Sequence, residues 1–260
     1  MKQSLAMFVK YRHLLFNLIG RDLKVKYRRS VLGILWSVLN PLLMMLVITA
    51  VFSNIFKFNI EHFPVYYLTG YTLFNFFSEA TNMCNSSILE ASALIKKVYI
   101  PKYIFPLEKV TFALVNMLFS LIAMALIYAV TQTPIHWTAL LFPIPIIYTF
   151  CFALGMGLLL SALTVYFRDI LHLYGVVLTA WMYLTPIFYP VDPQAIPAFM
   201  LTVFKFNPLY HFVTYNRNIM MNGVVPGLTD NLICMLFAGG ALIVGVLVFR
   251  KLQRNFILHI

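Results

Sequence analysis

Apolar residues run along this chain in long blocks that charge rarely interrupts. Residues 30–56 contain no Asp, Glu, Lys or Arg, and neither do the 58 residues 110–167. A helix needs about 20 apolar residues to cross about 30 Å of hydrocarbon. The first window therefore holds one span. The second holds a hairpin of two, turning at "TQTPIHW", residues 131–137. Further spans are predicted from Phe63 and Pro64 to about Met83, over 170–191 and over 232–249. The pattern makes this an all-α integral membrane protein with six transmembrane helices.

Three segments fit neither a span nor an ordinary loop. Residues 1–29 read as an amphipathic helix lying at the membrane interface. Leu5, Phe8, Val9, Leu15, Phe16 and Ile19 share one face, and Lys10, His13 and Asn17 turn away. Leu14 and Leu18 widen the stripe, and Arg12 falls inside it and must snorkel. In "NSSILEASALIKKVYIPKYIFPLEK", residues 85–109, Ser86 or Ser87 can cap a short helix with Glu90 near its third position. That helix ends before Pro101, with an apolar face and a basic end. It is either a docking element or a loop packed on its own protein. Residues 185–231 are too apolar for an exposed loop and too interrupted for a span. Residues 198–206 and 210–221 have the length of half-helices, and a break at Asn207-Pro208 makes them a re-entrant hairpin dipping back from the outer surface.

Composition agrees with membrane embedding: 62% of the 260 residues are hydrophobic and 10% charged. The mean hydropathy is +0.86. A soluble domain carries about 25% charged residues, so this chain cannot cover a soluble surface. No secretory signal peptide is expected, because the first long apolar run starts only after about 30 residues. The net charge of +11 is explained by placement. Sixteen of the nineteen Lys and Arg lie in the N-terminal segment, the loops after spans two and four, and the tail; the other side has Lys57, Lys205 and Arg217. The split puts both termini in the cytoplasm and accounts for the basic balance without nucleic acid. The chain then divides into a cytoplasmic segment 1–29, a membrane domain 30–250 and a short tail 251–260.

Candidate chemistry is sparse. No GxxxxGK[ST] loop is present, so ATP is not bound and hydrolysed by this chain alone. Cys84, Cys151 and Cys234 stand isolated in apolar surroundings and read as packing residues, as do Gly155 and Gly157 inside span four. His136, His172 and His211 have no metal-ligand spacing. Glu79 is the one acid inside a predicted span, as a structural carboxylate or a gate. Lys24, Lys26, Arg28 and Arg29 sit directly before the uncharged run of span one. Pro41, after Asn40, removes a backbone donor inside that run. The carbonyl it frees must find protein or water, so span one is expected to pack on protein near Asn40. Aromatic residues are 16% of the chain and gather in the outer half. Tyr66, Tyr67, Tyr183, Phe188, Tyr189, Phe204, Tyr210 and Tyr215 form either an interfacial belt or a path on which sugars stack.

"RDLKVKYRRSVLGILWSVLNPLLMMLVITAVFSNIF", residues 21–56, resembles the opening of the ABC type-2 permeases that export polysaccharides, among them O-antigen, capsule and wall teichoic acid exporters. "YFRDI" at 166–170, "TPIFYP" at 185–190 and "NPLYHFVTYNRNIMMNG" at 207–223 follow in the right order. The resemblance implies a homodimeric half-transporter in the bacterial cytoplasmic (inner) membrane. Two copies of a separate ATP-binding subunit would drive it, with ATP and magnesium on that partner and no cofactor here. It implies a coupling helix at about 87–97, carrying Ser87, Glu90, Lys96 and Lys97, and a second contact at Arg168-Asp169. It makes the outer hairpin a gate. It implies a glycan on a polyprenyl pyrophosphate lipid, whose headgroup the four cations of 24–29 would draw in, unless they only anchor the span. The Asn40-Pro41 kink would shape a lateral opening for that lipid. The alternatives are export of a drug or small lipid, and a membrane enzyme acting on lipid-linked sugars. The enzyme would need paired polar residues at one membrane face, which the sequence does not offer.

Overall fold

A computed structural model describes residues 2–28, 30–54, 60–191 and 196–259, with side chains from Tyr11 onward. Every regular element among them is helical. In order these are α1 (Lys2–Tyr27), α2 (Trp36–Asn54), α3 (Phe63–Glu90), α4 (Ser92–Lys97), α5 (Ile104–Thr131), α6 (Pro143–Tyr166), α7 (Ile170–Tyr183), α8 (Ala198–Phe206), α9 (Pro208–Met220) and α10 (Leu228–Leu252). Short 3-10 turns precede α2 and α6 and follow α10.

Four segments are long and apolar enough to cross a membrane: Gly33–Ser53, Ile104–Thr131, Trp137–Tyr166 and Leu228–Leu258. They match predicted spans one, three, four and six. Span two corresponds to α3, whose 28 residues give about 42 Å of helix. Its second half is polar, with Ser78, Glu79, Thr81, Asn82, Asn85, Ser86 and Ser87. The predicted fifth span, 170–191, is not one continuous helix. α7 is 14 residues, about 21 Å, and residues 184–191 leave the helix. Pro186 has no N–H to continue it and pushes Thr185 out of the helical region. The released segment folds inward, so that Thr185, Ile187 and Phe188 are buried.

Small residues set the closest helix contacts. A Cβ built on Gly245 of α10 would lie 2.0 Å from the carbonyl oxygen of Gly155 on α6, so the two backbones touch. A Cβ on Gly157 would lie 2.7 Å from Sγ of the buried Cys84 on α3. These contacts are the packing expected for Gly155, Gly157 and Cys84.

Two apolar clusters follow. The larger joins α3, α5, α6 and α9, with Phe77, Phe152 and Phe212 at its centre and Trp181 of α7 edge-on to Phe77. The smaller gathers Leu15, Leu18 and Ile19 of α1 with Ile88, Ile95, Phe105, Val165, Phe249 and Phe256. It brings the segments near both chain ends to the same end of the bundle. The face that α1 buries differs from the expected stripe. Residues 15, 18 and 19 share a helical face, which packs on protein, while Phe16 points away and is exposed. Side chains of Leu5, Phe8, Val9 and Lys10 lie outside the described ones. The expected short tail is also packed: residues Gln253–Leu258 form a turn that buries Phe256 fully, and Lys102 Nζ donates to the Gln253 carbonyl at 2.6 Å.

Candidate functional site: a charged end and an aromatic end

At the charged end, α1 presents Asp22 and Lys26, four residues apart and so on one face. Lys26 Nζ meets Glu79 Oε1 of α3 at 2.7 Å, and Asn116 Nδ2 of α5 donates to the same oxygen at 2.9 Å. Glu79, the one acid of the predicted spans, is thus ion-paired. Lys109 of α5 reaches Asp22 at 2.5 Å, its neighbour Glu108 at 3.5 Å and Glu90, the last residue of α3, at 3.8 Å. Arg21 adds a second cation to Asp22 at 2.7 Å. Burial raises the Asp22 pKa, but the bonds from Lys109 and Arg21 together outweigh it and hold the carboxyl below its ordinary value.

The same network reaches span one. The hydroxyls of Tyr27 and Ser37 bond to each other, and Tyr27 also donates to Asn116 Oδ1 at 3.3 Å. Ser37 lies four residues before Pro41, so its carbonyl is the one that the missing proline N–H leaves free. Ser120 of α5 donates to that carbonyl at 3.2 Å. Pro41 is buried, as expected of a proline whose freed acceptor is satisfied by protein, and α2 continues through it. Asn40 itself faces outward and is exposed. Of the four cations before span one, Lys26 is engaged. Lys24 and Arg28 are exposed, with no ion pair among the described residues, and Arg29 lies outside those residues.

The expected coupling residues split. α3 does not stop for a new cap at Ser86 or Ser87; it runs to Glu90, and only Ala91 separates it from α4. Ser86 donates to Glu90 Oε1 at 2.6 Å, one turn along the same helix. Ser87 is buried and donates to the Cys84 carbonyl at 2.7 Å, so its hydroxyl is turned into the bundle. Lys96 and Lys97 are exposed beside Leu94, Val98 and Tyr99. Arg168 and Asp169 are exposed in the α6–α7 turn beside Phe167. This turn belongs to the charged end: Asn85 of α3 bonds both Thr164 of α6 and the Ile170 carbonyl.

At the other end, the hairpin of α8 and α9 has the break foreseen at Asn207-Pro208, and every polar atom of the Asn207 side chain is used. Its Oδ1 caps α9 by accepting from Leu209 N–H at 3.0 Å and accepts from Trp181 Nε1 at 2.8 Å. Its Nδ2 donates to the Leu184 carbonyl and Thr185 Oγ1, each at 3.0 Å. An apolar groove of about 510 Å³ opens beside this anchor, between α7 and α8. Arg217 of α9 is buried without a carboxylate among the described residues. It donates to the carbonyls of Pro186 at 2.7 Å, Tyr66 at 3.2 Å and Ile187 at 3.3 Å, and its guanidinium lies 3.5 Å over the Tyr66 ring. Asn207 and Arg217 were not foreseen as a unit. The available signal was an Arg in an apolar half-helix with no acid a turn away.

The eight outer aromatics occupy different settings. Tyr67, Phe188, Phe204 and Tyr215 are buried, their rings covered by their own protein in this arrangement. Tyr67 stacks on Tyr71 and Phe188, Phe204 stacks on Tyr210, and Tyr215 donates to Asn231 at 3.1 Å. Tyr66 donates to the Tyr189 carbonyl at 2.8 Å, and Tyr189 to the Tyr183 carbonyl at 2.6 Å. Tyr183, 62% exposed, presents the most open ring of the set.

Residues 13–221 match the family of ABC-2 type transporter membrane proteins. The chain is 33% identical over 218 residues to the O-antigen export system permease protein RfbA of Myxococcus xanthus, covering 84% of each chain. It is 32% and 31% identical to two proteins of the same name from Klebsiella pneumoniae, covering 94% of this chain and 93% of each relative. The matched range runs from the middle of α1 through the outer hairpin and so includes both ends of the network just described. A multi-pass membrane protein of this architecture and this similarity belongs to the ABC-2 type transporter family.

Proposed function

We propose that this chain is the permease subunit of an exporter that carries an O-antigen-like polysaccharide out across the bacterial inner membrane, powered by ATP hydrolysed on a separate subunit. The observation that carries this reading is the identity of 31–33% to relatives named as O-antigen export permeases, over 84–94% of the chain. The absence of a nucleotide-binding loop from the sequence supports a division of labour with an ATPase.

In this reading α3 and α7, the latter extended by the folded-in segment 184–191, complete six crossings, and the charged end with both termini faces the cytoplasm. Two copies of the chain form the pore, with two copies of the ATPase beneath them. The exposed end of α4, with Lys96 and Lys97, and the turn at Arg168-Asp169 meet that ATPase, with Glu90 behind them. The cargo is a glycan on a polyprenyl pyrophosphate. Lys24, Arg28 and Arg29 attract its headgroup, and Lys26 serves Glu79. The Pro41 region of α2 borders the lateral opening. The α8–α9 hairpin is the outer gate, where Tyr183 is the ring best placed to touch a passing sugar.

The test is reconstitution of the permease with its ATP-binding subunit in vesicles loaded with lipid-linked O-polysaccharide. Glycan becomes accessible on the far side only when ATP is hydrolysed. Transport without nucleotide, or hydrolysis with no movement of glycan, would overturn the reading.

A further inference from the structure

We propose that Lys109 is an exchange junction, which trades Asp22 for Glu90 when α4 is displaced and thereby releases α1 and span one. The proposal rests on the functional reading above. Four observations carry it.

First, Lys109 is the meeting point of three elements. Its ammonium lies 2.5 Å from Asp22 of α1, 3.5 Å from Glu108 of α5 and 3.8 Å from Glu90 of α3. A cation with three carboxylates at graded distances can change its strongest partner without losing all of them. A coupling element requires two arrangements, and Lys109 has a second carboxylate within reach to make the other one.

Second, the junction sits against the segment that would move. Glu90 ends α3 and one residue separates it from α4. A push on α4 is therefore delivered to the Glu90 carboxylate first. If it comes closer to Lys109, the Asp22 bond lengthens.

Third, α1 carries the change onward by rigid geometry. Lys26 is one turn beyond Asp22 on the same face and holds Glu79 at 2.7 Å. Tyr27 follows it and bonds Ser37, whose carbonyl is freed by Pro41 and taken by Ser120. Asp22 is thus linked, without a gap, to the proline turn of span one.

Fourth, the outer set of pairs is soft. Glu90 is 59% exposed and the Lys26–Glu79 pair is partly exposed. Asp22, the partner that leaves, is only 13% exposed but keeps Arg21 at 2.7 Å, so the rearrangement does not strand a bare charge.

The experiment measures ATP hydrolysis and glycan export in the same vesicles, for the complete permease–ATPase complex. The variants are Asp22→Asn, Glu79→Gln, and the exchange Lys26→Glu with Glu79→Lys. Asp22→Asn and Glu79→Gln are expected to co-purify with the ATPase and to hydrolyse ATP near the wild-type rate. Glycan exported per ATP should fall about tenfold in Asp22→Asn and up to about fivefold in Glu79→Gln, and the exchanged pair should recover much of the latter loss. A merely structural role predicts that hydrolysis and export fall together, leaving the ratio unchanged, and that result overturns the proposal. An unchanged export per ATP in both single variants overturns it too. Should Asp22→Asn not accumulate, Glu79→Gln and the exchanged pair decide by the same ratio. Failure of the wild-type complex to move glycan would instead count against the function proposed above, which keeps the two failures apart.

Discussion

At one end of the bundle Lys26 and Lys109 answer to carboxylates; at the other Arg217 answers to none among the described residues. The charged end uses pairs that are partly or mostly covered, with side-chain exposures of 39% and 23% for Lys26 and Glu79. Such pairs are held by charges that water and salt can replace. Arg217 is 8% exposed and its two terminal nitrogens donate to the backbone of the 184–191 segment and α3, with an aromatic face beneath it, while Nε has no partner among the described residues. Carbonyl dipoles and a ring quadrupole do not rearrange to follow a moving cation. The contrast teaches that the end facing the ATPase in our reading has charged partners to exchange, whereas the α8–α9 hairpin is fastened by Asn207 and Arg217, whose partners among the described residues are all uncharged.

The largest effect is expected at that fastening. Arg217→Ala leaves the Pro186 and Ile187 carbonyls without their donor, while the Tyr66 carbonyl keeps Thr69 Oγ1, and with unmade buried hydrogen bonds at about 1–3 kcal/mol each, a loss of about 3 kcal/mol follows. Arg217→Lys keeps the charge but not the planar fork, and should recover less than half. Thermal unfolding of the purified protein in detergent reads both. If Lys restores stability fully, charge alone holds the hairpin and the contrast between the ends disappears.

Next in size is Asp22. Asp22→Asn keeps one acceptor oxygen but loses the charge and one of the two bonds from cations, which should cost about 2 kcal/mol. The same bond has a pH signature. The folded carboxyl titrates below the unfolded value of about 3.9. Its contribution is therefore fully present above that value and is lost as pH falls through the lower folded one. Amide exchange across α1 should rise as pH falls below about 4, after correction for intrinsic exchange rates. Asp22→Asn should remove the rise. A rise that persists in the variant would assign it to other carboxylates.

These contrasts could be read from the sequence only in part, for reasons visible in particular residues. The helix Ala198–Phe206 was foreseen to the residue because Pro197 and Asn207-Pro208 punctuate both of its ends. The glycines of α6 announced close packing, but not that Gly245, ninety residues on, is the partner of Gly155. Reading spans as charge-free windows overran α7, since Pro186 and Pro190 carry no charge and only the backbone registers them. The Ser-x-x-x-Glu signal at residue 86 was overruled because Asn85, Ser87 and Ile88 are buried in the packing of α3 and keep the helix going. Pairings were the least legible. Lys26 and Glu79 stand 53 residues apart, and Asp22 and Lys109 stand 87 apart, so no spacing rule connects them. The acceptor left by Pro41 was foreseeable as a need; Ser120 as its donor was not.

A smaller effect sharpens the account of span one. Ser120→Ala should cost about 1 kcal/mol while Pro41 is present, because the Ser37 carbonyl then has no donor. With Pro41→Ala the residue at 41 supplies its own N–H, and the cost of Ser120→Ala should fall to about the experimental error of such a cycle, roughly 0.3–0.5 kcal/mol. Equal costs in both backgrounds would mean that Ser120 acts through its other acceptor, the Asn116 carbonyl.

The smallest expected effect is the one that bears hardest on the comparison. Glu79→Gln removes the charge that Lys26 faces but keeps an oxygen for Asn116 Nδ2. Both ionic partners are partly exposed, so the unfolding free energy should change by less than about 1 kcal/mol. At about 1 M salt, where screening acts over about 3 Å, even that difference should vanish. A cost as large as that of Arg217→Ala, insensitive to salt, would make the charged end a lock of the same kind as the outer one. An exchange of partners at Lys109 would then have nothing soft to work against, because α1 could not leave Glu79 when Asp22 lets go.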